Sequence, residues 1–338
     1  MSQNRFYLVK KGNSFRYKKP PDYKQAIKFY REAAQMGDAK GFLYIAELLE
    51  MEDPPNSEEI IRNFREAAER GESRAYYSLG NIYHFGELVP QDYQLARQYY
   101  EKAAEQGHPR AAFQLGLYYR FGNGVEIDYQ KSIQYFLQSK TDKAYRNIGI
   151  LYRKGLGVPQ DYQKAMYYFQ MAVEKGNIKA KYNIGMLYKT GLGVPKDPYK
   201  AHQLFLEIGQ GTWEDKRERV VWHKALFQLG LMYEFGFGVE QNYSQAYEYY
   251  KKASRQNNPL ALVKIGDFYK RGINFPQNFA KAMKYYQKAL EYPKVCYIAY
   301  ERIGDIYNED DPEKAKEYYD KANQDPDKLN ELASMLIP

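Results

Sequence analysis

The chain alternates apolar and polar residues in a pattern that predicts pairs of short helices. Between residues 93 and 105, alanine and tyrosine recur at three- and four-residue spacing, so they share one face of a helix. Asp92 precedes this stretch and suits its N-cap, because a carboxylate accepts hydrogen bonds from the unpaired amides of the first turn. Gly107 ends the first stretch, Pro109 begins a second amphipathic one, and Gly122 ends that one. The pattern therefore predicts a helical hairpin.

This hairpin recurs along most of the chain. The predicted N-cap position returns every 33 to 36 residues, with one spacing of 45, at Asp22, Ser57, Asp92, Asp128, Asp161, Asp197, Asn242, Asn278 and Asp311. In the second helices an apolar–glycine pair such as Leu115-Gly116 is followed three residues later by a tyrosine, here Tyr119. We expect these glycines to let neighbouring helices approach closely. A near-constant period of this size indicates a solenoid built from helix pairs.

The repeated sequence pattern resembles that of a known family. The pattern A-x-x-x-L-G-x-x-Y followed by G-x-G-V-P-x-D-Y is similar to the Sel-1-like repeat, a relative of the tetratricopeptide repeat, and the copy from Ala144 to Gly176 carries nearly all of it. The resemblance spans about residues 22–323 and implies an all-α fold, a right-handed α-solenoid of antiparallel helix pairs. It also implies an adaptor or scaffold that assembles other proteins, in signalling, protein quality control or host–microbe contact.

The same pattern predicts one α-solenoid over residues 1–338, with three parts. They are a degenerate N-terminal capping helix over 1–21, helical repeats over 22–323 and a C-terminal capping helix over 324–338. We expect the first part to carry Val9 at the tyrosine position of a repeat. The last part is expected to place Leu329, Leu332 and Leu336 on its buried side.

One link between repeats is longer than the others. It covers residues 208–221 and contains or adjoins both tryptophans, Trp213 and Trp222. Two interpretations are open: a longer helix with a packing tryptophan, or a protruding edge that binds a partner. We favour the longer helix.

The composition indicates in which cellular compartment the protein resides. The single cysteine, Cys296, excludes internal disulfides and fits a reducing interior. No apolar run is long enough for a signal peptide or a membrane span. The sequence therefore predicts a cytoplasmic protein without membrane insertion, the alternative being an effector that is exported without a cleaved Sec signal.

Signals of catalysis are weak. The four histidines lie in different repeats, and none has an acidic residue or cysteine at a metal-ligand spacing. His108 precedes Pro109, where a helix-capping role is expected. The Gly-x-Gly-Val turns join two helices, whereas a phosphate-binding loop follows a strand. The sequence thus predicts no enzyme, no metal site and no cofactor.

A binding surface is predicted on the second helices, on the arc opposite Leu115, Gly116 and Tyr119. The candidate residues are Arg74, Tyr77, Asn81, Arg110, Phe113, Arg120, Arg146, Asn147, Arg153, Lys154, Lys179, Tyr182, Asn183, Lys189, Lys224 and Phe227. They are expected to line a concave groove that is basic and aromatic in its middle. Acidic residues, Glu47, Asp267 and Asp305 among them, lie towards its two ends.

Three explanations of this surface are open. Arginine, aromatic and amide side chains on one arc suit a partner protein or peptide with an acidic or phosphorylated segment. RNA or another polyanion is the alternative, because bases stack on aromatic rings beside arginine, but no repeating base-reading code is visible. The third explanation is that the charges only solubilise the chain. The sequence leaves the oligomeric state open.

Overall fold

A computed structural model of the chain describes residues 2–211, 216–255, 258–293 and 295–336. These residues form nineteen α-helices in repeating pairs and no strand, which confirms the all-α helix-pair fold. The helices belong to two compact units, Met1–Asp161 and Tyr162–Pro338, which are described separately below.

The first unit contains nine helices. They are α1 Ser2–Arg16, α2 Tyr23–Gln35, α3 Ala39–Leu49, α4 Ser57–Glu69, α5 Ser73–Phe85, α6 Tyr93–Glu105, α7 Pro109–Phe121, α8 Tyr129–Ser139 and α9 Asp142–Lys154. The second unit contains ten in its described part. They are α10 Tyr162–Glu174, α11 Ile178–Thr190, α12 Pro198–Gln210, α13 Lys216–Phe235, α14 Tyr243–Ser254, α15 Pro259–Arg271, α16 Phe279–Leu290, α17 Cys296–Tyr307, α18 Pro312–Ala322 and α19 Pro326–Ser334. From α2 onwards, each even-numbered helix is the first helix of a pair and the odd-numbered helix after it is the second. Helix α13, a second helix, begins inside the lengthened link.

The predicted helix N-caps are largely confirmed. The side chain accepts from the amide three residues later, at 2.8–3.1 Å, at Asp22, Asp92, Asp128, Asp197, Asn242, Asn278 and Asp311. His108 caps α7 as expected, accepting from the Ala111 amide at 3.2 Å. The prediction for Ser57 is wrong, because Asn56 precedes it and its Oδ1 accepts from the Glu59 amide at 3.1 Å.

Glycines of the second helices receive aromatic rings from the next helix. A Cβ at Gly116 of α7 would lie 2.4 Å from the Phe136 ring of α8, and one at Gly80 of α5 equally close to Tyr100 of α6. Phe136 and Tyr100 are fully buried. The predicted close approach at these glycines is therefore confirmed, and it joins the second helix of one pair to the first helix of the next.

The same contact identifies the register of α1. Gly12 faces the Tyr30 ring, so the residue three positions later, Phe15, occupies the tyrosine position of the repeat. Phe15 stacks on Phe29 with ring centroids 5.5 Å apart. The assignment of Val9 to that position is wrong. Val9 is instead a core residue beside Leu8, because the glycine that receives the ring determines the register.

Each buried tyrosine of this kind has a matched hydrogen-bond acceptor. The hydroxyl of Tyr100 donates to Asn81 Oδ1 at 2.9 Å, and Asn81 directly follows the receiving glycine. The same arrangement joins the buried Tyr30 to Asn13 and Tyr286 to Asp267, and it joins the half-buried Tyr319 to Asp305. Where the ring is Phe136, the residue after the glycine is Leu117. Acceptors thus occur where a buried hydroxyl requires one.

The lengthened link lies in the second unit. Helix α13 has 20 residues, and Trp222 within it is half-buried and donates from Nε1 to the Gly209 carbonyl at 2.9 Å. This supports the longer helix with a packing tryptophan, whereas Trp213 lies outside the described residues. Near the end of the chain, Leu336 is buried and Leu329 packs against the same core, and the Leu332 side chain is not among those described.

Candidate partner-binding surface

The predicted surface residues lie on second helices that are neighbours within each unit. Helix α7 contacts α9 in the first unit, and α11 contacts α13 in the second. Side chains at one register position of successive second helices are therefore close in space.

Accessibility divides the candidates in the first unit. Arg74, Arg110 and Lys154 are exposed, and Asn147 is buried. The others are half-buried: Tyr77, Asn81, Phe113, Arg120, Arg146 and Arg153. In the second unit Lys224 is exposed, and two candidates, Lys179 and Tyr182, are half-buried.

The aromatic candidates pack on the rings that fill the glycine contacts. Phe113 lies 5.7 Å from the Phe136 ring, and Tyr77 lies 5.9 Å from the Tyr100 ring, measured between centroids. Phe227 packs in the same way on Tyr250 but is only 3% exposed. The structure therefore corrects the placement of Phe227, which is a core residue. Its register position, three residues before the glycine, faces the neighbouring ring.

Several polar candidates are bonded between repeats. An Arg120 guanidinium nitrogen donates to Asn147 Oδ1, and the Asn147 amide donates to the Lys143 carbonyl at 2.8 Å. In the second unit, Lys189 Nζ donates to Gln228 Oε1 at 2.7 Å. In both cases the donor lies four residues after the ring-receiving glycine position of one second helix. The acceptor lies two residues before the same glycine position of the next second helix.

These contacts correct further predictions. Lys189, Asn147 and Asn183 are each at most 8% exposed, so their side chains are not presented to a partner. Arg74 is exposed but already paired, because its guanidinium lies 2.7 Å from Glu47. Asn81 is engaged by the Tyr100 hydroxyl. Candidates that the sequence grouped as one surface thus include several that hold repeats together.

Burial of Lys189 has a consequence for pH dependence. Burial, with the nearby charge of Lys196, lowers the pKa of Lys189 from its ordinary value of 10.5 to about 8. The folded state therefore disfavours the ammonium, and this penalty is complete below pH 8 and disappears as pH rises towards 10.5. We expect the wild type to gain on the order of 2 kcal/mol of unfolding free energy relative to Lys189→Met between about pH 7 and 10.

Denaturant unfolding of both proteins at several pH values measures this difference. A difference that stays constant over the range contradicts a depressed Lys189 pKa. Groups that both proteins contain titrate alike, so their contribution cancels when the unfolding free energy of the wild type is compared with that of Lys189→Met.

Among the half-buried candidates of the first unit, three arginines have no carboxylate partner in the described part of the chain. They are Arg120 on α7 and Arg146 and Arg153 on α9, and we call them the arginine cluster. The pKa of Arg146 is lowered, first by burial and then by the positive charges of Arg120 and Arg153. Its Nε is buried and, within the described part of the chain, has no hydrogen-bond partner. The cluster is thus a site of concentrated positive charge with unused donors.

Two exposed phenylalanines lie at the ends of second helices of the first unit and were not among the sequence candidates. Phe85 ends α5 and is 55% exposed, and Phe121 ends α7 and is 59% exposed. The Arg120 guanidinium lies over the Phe121 ring, 4.9 Å from its centroid. Their common signal in the sequence is their place directly before the glycine that ends a second helix.

Neither a metal-binding cluster nor a membrane-spanning helix is found among the described residues. No group of three or more His, Cys, Asp or Glu side chains is arranged to hold a metal ion in this part of the chain. Among the described helices, none combines the length and apolar character of a bilayer span.

Comparisons with known proteins agree with the repeat pattern. A family model described as Sel1 repeat matches more than half of the chain, at residues 12–38, 73–108, 109–140, 142–177, 178–207, 223–258, 259–291 and 298–325. The comparison with curated proteins gave no match.

Solved structures that are similar to the chain include two repeat proteins. One is a protective antigen present in uropathogenic Escherichia coli strains and displays an SLR fold. It is 27% identical over 91% of this chain and 67% of that chain, with a TM-score of 0.75. The other, a Sel1 repeat protein from Oxalobacter formigenes, is 26% identical over 68% of this chain and 92% of that chain, with a TM-score of 0.56.

Proposed function

The chain belongs to the Sel1 repeat family, and from this membership we propose that it is a non-enzymatic scaffold that binds an acidic or phosphorylated segment of a partner protein. Proteins built from these repeats generally serve in protein–protein interaction. We assign the binding to the second helices of the first unit, around the arginine cluster.

The observation that carries this assignment is the unbalanced charge at Arg146. Burial and two neighbouring guanidinium groups disfavour its charged form, yet arginine stays protonated at physiological pH. An oxyanion placed among the three arginines removes this repulsion and accepts from donors that are otherwise unused. Carboxylates and phosphates match the planar, paired donors of arginine.

Contact area comes from the exposed aromatic residues. Phe121 presents apolar surface beside the cations, so apolar side chains that flank an acidic residue of the partner have a place to pack. A few residues supply most of the binding energy in many interfaces, with aromatic side chains and arginine prominent among them, and complementary charges add specificity and association rate.

RNA binding is the second candidate, and one contact favours it. Arg120 stacked over the exposed Phe121 is the kind of platform on which a base of single-stranded RNA stacks. We rank it below peptide binding because family membership points to protein partners.

We expect the variant Arg153→Glu/Lys154→Glu to weaken binding by on the order of tenfold or more while melting is nearly unchanged. The probe is an array of acidic peptides with and without phosphoserine, followed by titration of the best binder. Arg120 is left unchanged because it bonds to Asn147. The control variant Lys102→Glu/Lys131→Glu makes the same charge change on first helices.

Two results contradict the assignment. Equal binding by both variants means that the surface lies elsewhere on the chain. Equal competition by heparin, single-stranded RNA and the acidic peptide, all abolished by salt, favours the polyanion alternative.

A further inference from the structure

Formal charge is separated along the chain. Residues 1–31 contain nine Lys or Arg and one Asp, so their net charge of +8 equals that of the whole chain. Residues 301–331 contain eleven Asp or Glu and five Lys or Arg, a net charge of −6. The first segment lies in the first unit and the second segment in the second unit.

The basic segment forms an accessible surface on α1, the following turn and α2. Five of its lysines are exposed and take part in no ion pair found among the described residues: Lys10, Lys18, Lys19, Lys24 and Lys28. Exposed aromatic rings lie among them, since Phe6 is 70% and Tyr17 71% exposed. We call this the basic surface.

The register of α1 places a further lysine, Lys11, at a position that is apolar in other second helices. Lys11 corresponds to Leu115 of α7, which is buried in the hydrophobic core. Its ammonium lies over the rings of Phe29 and Tyr7, 4.5 and 5.8 Å from their centroids. Beside Phe6 and Lys10, a cavity of about 520 Å³ opens between α1 and the starts of α3 and α5.

The acidic segment presents its own row of side chains. Glu313, Glu317 and Asp320 follow one another at four- and three-residue spacing on α18, and all three are exposed. Glu309 and Asp310, in the turn before α18, are exposed as well. We call these five residues the acidic surface.

We infer that copies of this chain associate head to tail, with the basic surface of one copy on the acidic surface of the next. The occupant is a second copy because the chain itself carries the complementary charge, of similar magnitude, on a separate exposed surface. Opposite potentials steer association and select the orientation. Such a contact joins two different surfaces, so each added copy leaves one of each open and the assembly can grow. The inference is independent of the arginine cluster, whose residues belong to neither surface.

Sedimentation velocity of the full chain over a range of concentrations tests this. At about 0.1 M salt we expect the average mass to rise at least twofold with concentration, and at about 1 M salt we expect monomer, because the screening length shortens from about 10 to 3 Å. Lys10→Glu/Lys18→Glu/Lys19→Glu and Glu313→Lys/Glu317→Lys/Asp320→Lys should each be monomeric alone at low salt. Mixing these two variants should restore association, because each retains the surface that the other has lost.

A matched control makes the same charge change away from both surfaces. Lys102→Glu/Lys131→Glu/Lys143→Glu should associate like the wild type. A wild type that is monomeric at low salt overturns the inference, as does association that persists in either reversed variant. If the wild type is monomeric and its basic surface instead binds anionic vesicles or RNA, the occupant is a polyanion and the inference is again overturned.

Discussion

Replacement of Glu234 by alanine is expected to destabilise the second unit by about 3–5 kcal/mol, the usual cost of removing one partner from a buried ion pair. Glu234 and Lys264 are 3% and 5% exposed, and the Lys264 ammonium lies 3.0 Å from the carboxylate. The Tyr250 hydroxyl, which is fully buried, donates to the same carboxylate at 2.5 Å.

The size of this effect comes from what the substitution leaves behind. Without Glu234 a buried ammonium has no counter-charge and a buried hydroxyl has no acceptor, and each costs free energy. Simultaneous replacement with Glu234→Leu, Lys264→Met and Tyr250→Phe removes all three polar groups together. We therefore expect the triple variant to be markedly more stable than Glu234→Ala.

Chemical denaturation followed by far-ultraviolet circular dichroism measures the loss. Glu248→Ala is the matched control, because the Glu248–Lys251 pair of the same unit is exposed and exposed pairs contribute about 0–1 kcal/mol. A denaturation midpoint for Glu234→Ala equal to that of the control contradicts the burial of the pair.

Replacement of Gly116 by alanine is expected to have the second large effect on stability. In an open helix this change stabilises by about 1 kcal/mol, since glycine is the weaker helix former. Here the added Cβ falls 2.4 Å from the Phe136 ring, which is fully buried and unable to withdraw. We expect a net loss of about 1–3 kcal/mol, as for other overpacked cores.

Gly209 of α12 provides the comparison. A Cβ there meets only the methyl ends of Leu226 and Leu229, at 3.3 and 3.2 Å, and these side chains can shift. Gly209→Ala should therefore change stability little or raise it, and Phe136→Leu should partly rescue Gly116→Ala. Equal thermal melting of Gly116→Ala and the wild type means that the helices do not meet at this glycine.

Local signals in the sequence were sufficient for the repeat and its helices. N-cap residues such as Asp92 act on amides only three positions away, and their position follows from local chemistry. The incorrect N-cap prediction at Ser57 also has a local cause. Two adjacent polar residues compete for one cap, and the earlier one, Asn56, reaches the free amide. Amphipathic spacing and the recurring glycines then predicted which helix faces are buried.

The candidate surface was predicted less well because accessibility depends on residues one repeat away. The sequence placed Lys189 and Phe227 on the same open arc as Arg153. Lys189 is instead bonded to Gln228, 39 positions later, and Phe227 is covered by the Tyr250 ring. Helix periodicity gives the direction of a side chain from its own axis, but not what the adjacent helix brings to it.

By itself the sequence determined the all-α repeat, most helix caps and the glycines that receive neighbouring rings, because each depends on spacing within about one repeat. Only the tertiary structure decided which cations are free. Arg74 and Arg120 each have a partner on another helix, Glu47 and Asn147 respectively, whereas Arg146 and Arg153 have no carboxylate partner among the described residues. The physical reason is that a charge binds the first suitable group within reach, and the packing of neighbouring helices determines which groups are within reach.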